Sequence, residues 1–147
     1  MKQESIIPVE EYKANFKKNK NVKREERVQL AVCAFIKAKY PAAIFMCDLA
    51  SGMNLGKNIG GMNTRLRSSR GLPDLFIAHP KNNFKGFFLE IKKDNTVVFL
   101  AKGGITTNKH ILEQEAILKR LRNLGFYAQF GIGLENCIDQ IDRYMSL

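Results

Sequence analysis

The chain has 147 residues, enough for one domain around one core. Apolar residues at 45% and charged residues at 26% fit a globular fold and exclude the fibrous and disordered classes. Twenty-four Lys and Arg face 14 Asp and Glu, a formal charge of +10 that favours a polyanionic partner through screened attraction and counterion release.

Residues 1–23 form a lysine-rich arm containing Lys17, Lys18 and Lys20. It lacks the long apolar centre of a signal peptide. Two readings are open for it, a solvated leader and an arm that touches a phosphate backbone. Residues 24–147 read as a single domain. Val28, Val32, Phe35 and Ile36 recur at helical spacing and predict a helix over 24–39, with Leu30 and Cys33 widening its apolar face and Pro41 just beyond its end. Glu25 lies one turn before Gln29, at the N-terminal edge of the inward face. Residues 42–48 predict a short strand. The stretch 51–71 holds five glycines, four basic residues and no acid, which predicts a long loop. Its Lys57, Arg65, Arg67 and Arg70 are candidates for contact with DNA phosphates, against the plainer reading of a solvated linker.

Residues 72–78 and 84–92 read as the two arms of a hairpin, with HPKNN supplying the turn. TVVFL, 96–100, reads as a further short strand. A helix follows over 108–124, capped by Thr106, Thr107 or Asn108 and stopped by Gly125. Ile111, Gln114, Leu118 and Leu121 share its inward stripe, which Ile117 and Leu124 broaden. Residues 126–132 alternate as a strand, and 134–145 predict a last helix burying Ile138, Ile141 and Met145. This order suits a mixed α/β sheet with helices packed on it. No run approaches the roughly 18 apolar residues of a membrane span. Cys33, Cys47 and Cys137 are isolated and odd in number, which points to free thiols in a reducing compartment. His79 and His110 are isolated too.

The chemistry concentrates in RGLPDLFIAHPKNNFKGFFLEIKK, residues 70–93. Asp74 and Glu90 stand among apolar side chains, where an ionised carboxylate is costly unless it is paired or holds a metal. Glu90 and Lys92 are two apart and share a strand face, with Ile91 on the other. If the hairpin pairs as predicted, Asp74 approaches Glu90, and two such carboxylates repel unless one is protonated or a cation joins them. Mg²⁺ or Mn²⁺ is the natural cation for hard oxygen donors. Lys92 can then neutralise charge on a phosphate, a role that asks less of it than acting as a base. The competing reading is an acid and a lysine in an exposed surface ladder, worth roughly 0.2–1 kcal/mol.

Four blocks together are more specific. Glu25 and Gln29 stand one turn apart in the first helix; Gly71, Pro73 and Asp74 make Gly-x-Pro-Asp before the hairpin; Glu90 and Lys92 make Glu-x-Lys; and Gln114 is followed by Leu121 and Gly125. On these residues the chain resembles the VRR-NUC family, the virus-type replication-repair nucleases, within the restriction-endonuclease-like proteins. The resemblance spans residues 24–145. It implies a mixed sheet flanked by helices. It implies a divalent metal held by Glu25, Asp74, Glu90 and the backbone carbonyl of Ile91, with Lys92 and Gln114 completing the catalytic centre. It further implies a Mg²⁺- or Mn²⁺-dependent DNA endonuclease of the small phage or bacterial type, cytoplasmic, homodimeric and resembling Holliday junction resolvases. Larger relatives cut flaps, so a flap- or single-strand-directed nuclease is the alternative. A binding module without catalysis and a purely structural domain are further alternatives, though neither gives the clustered acids a purpose.

Overall fold

The computed structural model describes residues 24–48, 61 and 65–147. The predicted N-terminal arm with Lys17, Lys18 and Lys20, and the loop residue Lys57, lie outside the described residues. Helix α1 (Arg24–Lys39) carries two acids in its first turn and two lysines in its last, as the helix dipole favours. Val28, Val32, Phe35 and Ile36 are buried as their spacing predicts. Leu30 is not; it stands about 200° around the helix from Val28 and remains 50% exposed.

Four strands follow the order β1 (Phe45–Cys47), β2 (Leu75–Ile77), β3 (Phe87–Lys92) and β4 (Tyr127–Ile132) across one sheet. The first two pairings are antiparallel, and β2 and β3 form the predicted hairpin. Strands β3 and β4 are parallel. The return path between them contains helix α2 (Lys109–Asn123), and helix α3 (Gly133–Met145) follows β4 directly. The result is a mixed sheet flanked by helices, the restriction-endonuclease-like α/β class.

Alternation sorts the strand residues into two faces. Leu75, Ile77, Phe87, Leu89 and Ile91 join Val28, Val32, Ile138 and Ile141 in the larger core, beneath α1 and α3. Ala128 and Phe130 meet Ile111, Leu118 and Val98 on the opposite face, beneath α2, with Phe88 packed alongside. Asn108, one of three predicted caps, accepts the Ile111 amide at 3.2 Å. Gly125 ends α2 with φ +93°, a left-handed conformation that favours glycine.

Some elements are smaller than expected. Strands β1 and β2 are three residues long, and Pro73, which lacks an amide, stands two residues before β2. The run 96–100 contributes only an isolated bridge, Phe99 to Ile105. Leu124 caps α2 and stays 60% exposed rather than broadening its buried face. Met145 is only partly buried, whereas Tyr144 before it is fully buried, its hydroxyl donating to the His79 carbonyl at 2.7 Å. The three cysteines are free thiols. No helix among the described residues is long and apolar enough to cross a membrane.

Candidate active site

The register places the two central acids. Leu75 pairs with Leu89, so the next position of the antiparallel ladder sets Asp74 opposite Glu90, with both side chains on the α2 face. Both are buried, as are Lys92 and Gln114. The Asp74 carboxylate accepts the Ile91 amide at 2.8 Å. In a strand, a residue's amide and carbonyl share one edge. The Ile91 carbonyl is therefore also turned towards Asp74.

Glu90 is the hub. Its Oε1 accepts Lys92 Nζ at 2.8 Å and also accepts Nε2 of Gln114 from α2. Gln114 lies between Ile111 and Leu118 on the buried stripe of that helix, which aims an amide at a carboxylate instead of solvent. Its Oε1 is buried and has no hydrogen-bond partner among the described residues. Such an acceptor is costly unless a donor fills the space before it. Burial pushes the Glu90 carboxyl up to about 8. The Asp74 charge adds to the rise, Lys92 opposes it, and Glu25 contributes a smaller upward push. With both acids ionised, the pair carries more negative charge than Lys92 offsets, and without a further cation Glu90 keeps its proton instead.

That imbalance and the orphaned oxygen fit a hydrated divalent cation. Asp74, Glu90 and the Ile91 carbonyl offer hard oxygen donors, and Mg²⁺ is commonly held by only one or two carboxylates plus waters and phosphate oxygens. Among the described residues, no group of three or more His, Cys, Asp or Glu side chains could hold an ion. Glu25, in the first turn of α1 and half-buried, is therefore not brought into a three-acid cluster with Asp74 and Glu90. Gln29, one turn on, is buried.

The basic residues divide. Arg65 and Arg70 are exposed. Arg67 forms an ion pair with Asp48, one residue beyond β1. Asp48 donates its amide to the Asp74 carbonyl at 2.7 Å, so Asp48, Asp74 and Glu90 stand in a row across three strands. Sequence reasoning passes over Asp48; the available signal was an acid closing the apolar run AAIFMC. His110 is exposed at the start of α2. Behind the acids, the Cys33 thiol is lowered by a hydrogen bond with Cys47. That same bond, then burial, raises Cys47, while Cys137 is raised by burial and the Asp74 charge.

A solved structure described as a VRR_NUC domain protein shares this fold. The match has a TM-score of 0.56 and 21% identity, covering 86% of this chain and 91% of that one. No family model and no curated protein matches the chain. The restriction-endonuclease-like architecture is the class that fold and comparison define together.

Proposed function

We propose that the protein is a divalent-metal-dependent nuclease that hydrolyses DNA phosphodiester bonds. The observation that carries this reading is the convergence of Lys92 and Gln114 on one oxygen of Glu90, opposite a second buried acid. A surface ladder would leave these groups in water, and all four are buried. A Mg²⁺ or Mn²⁺ ion bound there supplies Lewis-acid polarisation of the phosphoryl group and acidifies bound water.

The chain's own residues do the rest. Asp74 and Glu90, with the Ile91 carbonyl, would provide the ligand oxygens, and Glu25 of α1 would be a further ligand. Lys92 holds Glu90 in the resting state and presents its ammonium to the phosphate oxygen on which charge develops. Gln114 fixes the Glu90 carboxylate through Nε2, and its Oε1 accepts a hydrogen bond from the attacking water and so orients it. The excess of basic residues recruits the polyanion, with Arg65 and Arg70 exposed to meet it.

The preferred substrate under this reading is branched DNA, a four-way junction cut by a homodimer, since two equivalent centres related by two-fold symmetry can cut opposing strands. A flap- or single-strand-directed activity is the second reading, favoured by an apolar cleft that opens beside the acids. Cleavage of labelled junction, 5′ flap, single-stranded and duplex DNA in Mg²⁺ or Mn²⁺, with Glu90→Gln alongside, tests both. Paired cuts in the junction alone, lost in the variant, support the resolvase. Cuts confined to flaps or single strands support the rival. Binding without any cleavage overturns the catalytic reading.

A further inference from the structure

Among the described residues, helix α2 packs mainly over β3 and β4. On the same face, the β1 side presents Ile44 and Met46, 74% and 69% exposed. A cleft of about 540 Å³ lies here, within the range of small-ligand sites. Its floor is a cross-strand row in which Met46 pairs with Phe76 and Phe76 with Phe88. The two phenyl rings stack at 4.4 Å, 21° from parallel, and Phe126 braces both edge-on at 6.1 and 5.1 Å. Leu66 and Arg67 form part of the cleft wall, and Asp48 and Asp74 line the end nearest the catalytic acids.

The Met46–Phe76–Phe88 row and the Asp48–Asp74–Glu90 row lie two positions apart on each strand, about 7 Å along the sheet. That is comparable with the reach from a phosphate to the base of its own nucleotide. A base in regular duplex is paired and stacked within the helix and cannot turn onto this floor. An unpaired base can, and aromatic rings receive any base by its π face.

We infer that the Met46–Phe76–Phe88 cleft is a stacking subsite for an unpaired nucleobase of the DNA strand whose phosphate lies at Asp74 and Glu90. The inference rests on the nuclease reading for its substrate and deepens it by naming the local structure selected, a nucleotide freed from pairing next to the scissile bond. The position favours DNA over a protein partner because the cleft runs into the acids and carries Arg67 in its wall, where a phosphate can compete with Asp48 for the guanidinium.

The test is binding without catalysis. Single-stranded oligonucleotides carrying 2-aminopurine at successive positions are titrated with the full chain in EDTA, beside an otherwise identical duplex. Fluorescence quenching at a defined position is expected for the wild type and for Phe76→Tyr. Phe76→Leu should lose the quench and weaken single-strand binding about tenfold, with duplex binding unchanged. Met46→Glu, at an exposed position that folding tolerates, should also weaken single-strand binding while keeping the melting temperature. Undiminished quenching in Phe76→Leu overturns the subsite and leaves the nuclease reading intact. A wild-type dimer that Met46→Glu converts to monomer in sedimentation also overturns it, because the face is then a protein interface. Quenching as expected, with no cleavage of any DNA in Mg²⁺ or Mn²⁺, upholds the subsite and removes the catalytic reading alone.

Discussion

Gln114 and Glu90 are joined by a hydrogen bond from the α2 amide to the β3 carboxylate, although 24 residues separate them in the chain. The other end of the same amide is a buried oxygen with no partner among the described residues. An amide kept only for stability would have both ends satisfied. Gln114→Leu should therefore change metal-free stability by no more than about 1 kcal/mol, yet lower DNA cleavage roughly 10–100-fold. Urea denaturation in EDTA and single-turnover cleavage measure the two effects. Strong destabilisation with activity retained would make Gln114 a structural residue.

Asp74→Asn and Glu90→Gln should each abolish cleavage and leave DNA binding within about threefold, since these acids serve the reaction and repel the backbone. Electrophoretic mobility shift in Ca²⁺ reports binding, and product formation in Mg²⁺ reports cleavage. Normal cutting by either variant would remove the proposed metal site.

The raised Glu90 carboxyl predicts a pH signature. The folded chain retains this proton up to about pH 8, whereas an unfolded glutamate loses it near 4.5. Between those values the native state binds more protons, so Glu90 makes stability fall as pH rises, by at most about 1.4 kcal/mol per pH unit. The contribution is fully present below pH 4.5 and gone above pH 8. In EDTA, the wild type should thus lose stability relative to Glu90→Gln across this window, and Mg²⁺ should restore the wild type at its alkaline end. Parallel melting profiles for the two proteins would show that Glu90 ionises normally.

Arg65 and Arg70 are exposed, whereas Arg67 is committed to Asp48. Replacing Arg65 and Arg70 with alanine should flatten the dependence of log binding constant on log salt by up to about 1.8, or about 0.9 for each phosphate no longer neutralised. Arg67→Ala alone should change the slope less, because its charge is already balanced. An unaltered slope in the double variant excludes that segment from the interface.

A packing prediction tests the sheet itself. An added Cβ at Gly131 would lie 2.5 Å from Cys137 Sγ and 3.1 Å from a Leu89 methyl. Gly131→Ala should cost roughly 1–3 kcal/mol, and Cys137→Ala should recover part of that loss in the double variant. Simple additivity between the two substitutions would contradict this packing.

Much of the centre is legible in the sequence because strand alternation and helical spacing are local. The period of two puts Glu90 and Lys92 on one face and Ile91 on the other, and the helical stripe puts Gln114 between Ile111 and Leu118. What escapes depends on register and on tertiary packing. Asp48 joins the acid row only because β1 pairs with β2 at a particular offset, and that same register sets it where Arg67 pairs with it. Leu30 and Leu124 are apolar but stand where nothing packs on them closely, a matter of angle and helix end rather than composition. The aromatic floor consists of ordinary-looking strand phenylalanines until three strands are laid side by side. Glu25 reaches Glu90 through its charge alone, a small upward push on the Glu90 carboxyl from across the helix–sheet packing that spacing within α1 does not reveal.

Parallel pairing of β3 with β4 obliges the chain to leave the sheet, build α2 and return. Gln114 lies on that excursion, so its bond to Glu90 waits for a later stage of synthesis. A nascent chain that has emerged as far as Lys92 already carries Asp74, Glu90 and the lysine, but lacks the helix and the strand that enclose them. Its acids are open to water and its hub is unassembled. Under the proposed nuclease reading, cutting competence would belong to a polypeptide already grown past both α2 and β4, and a product stalled before Tyr127 on the ribosome would be harmless to the DNA around it.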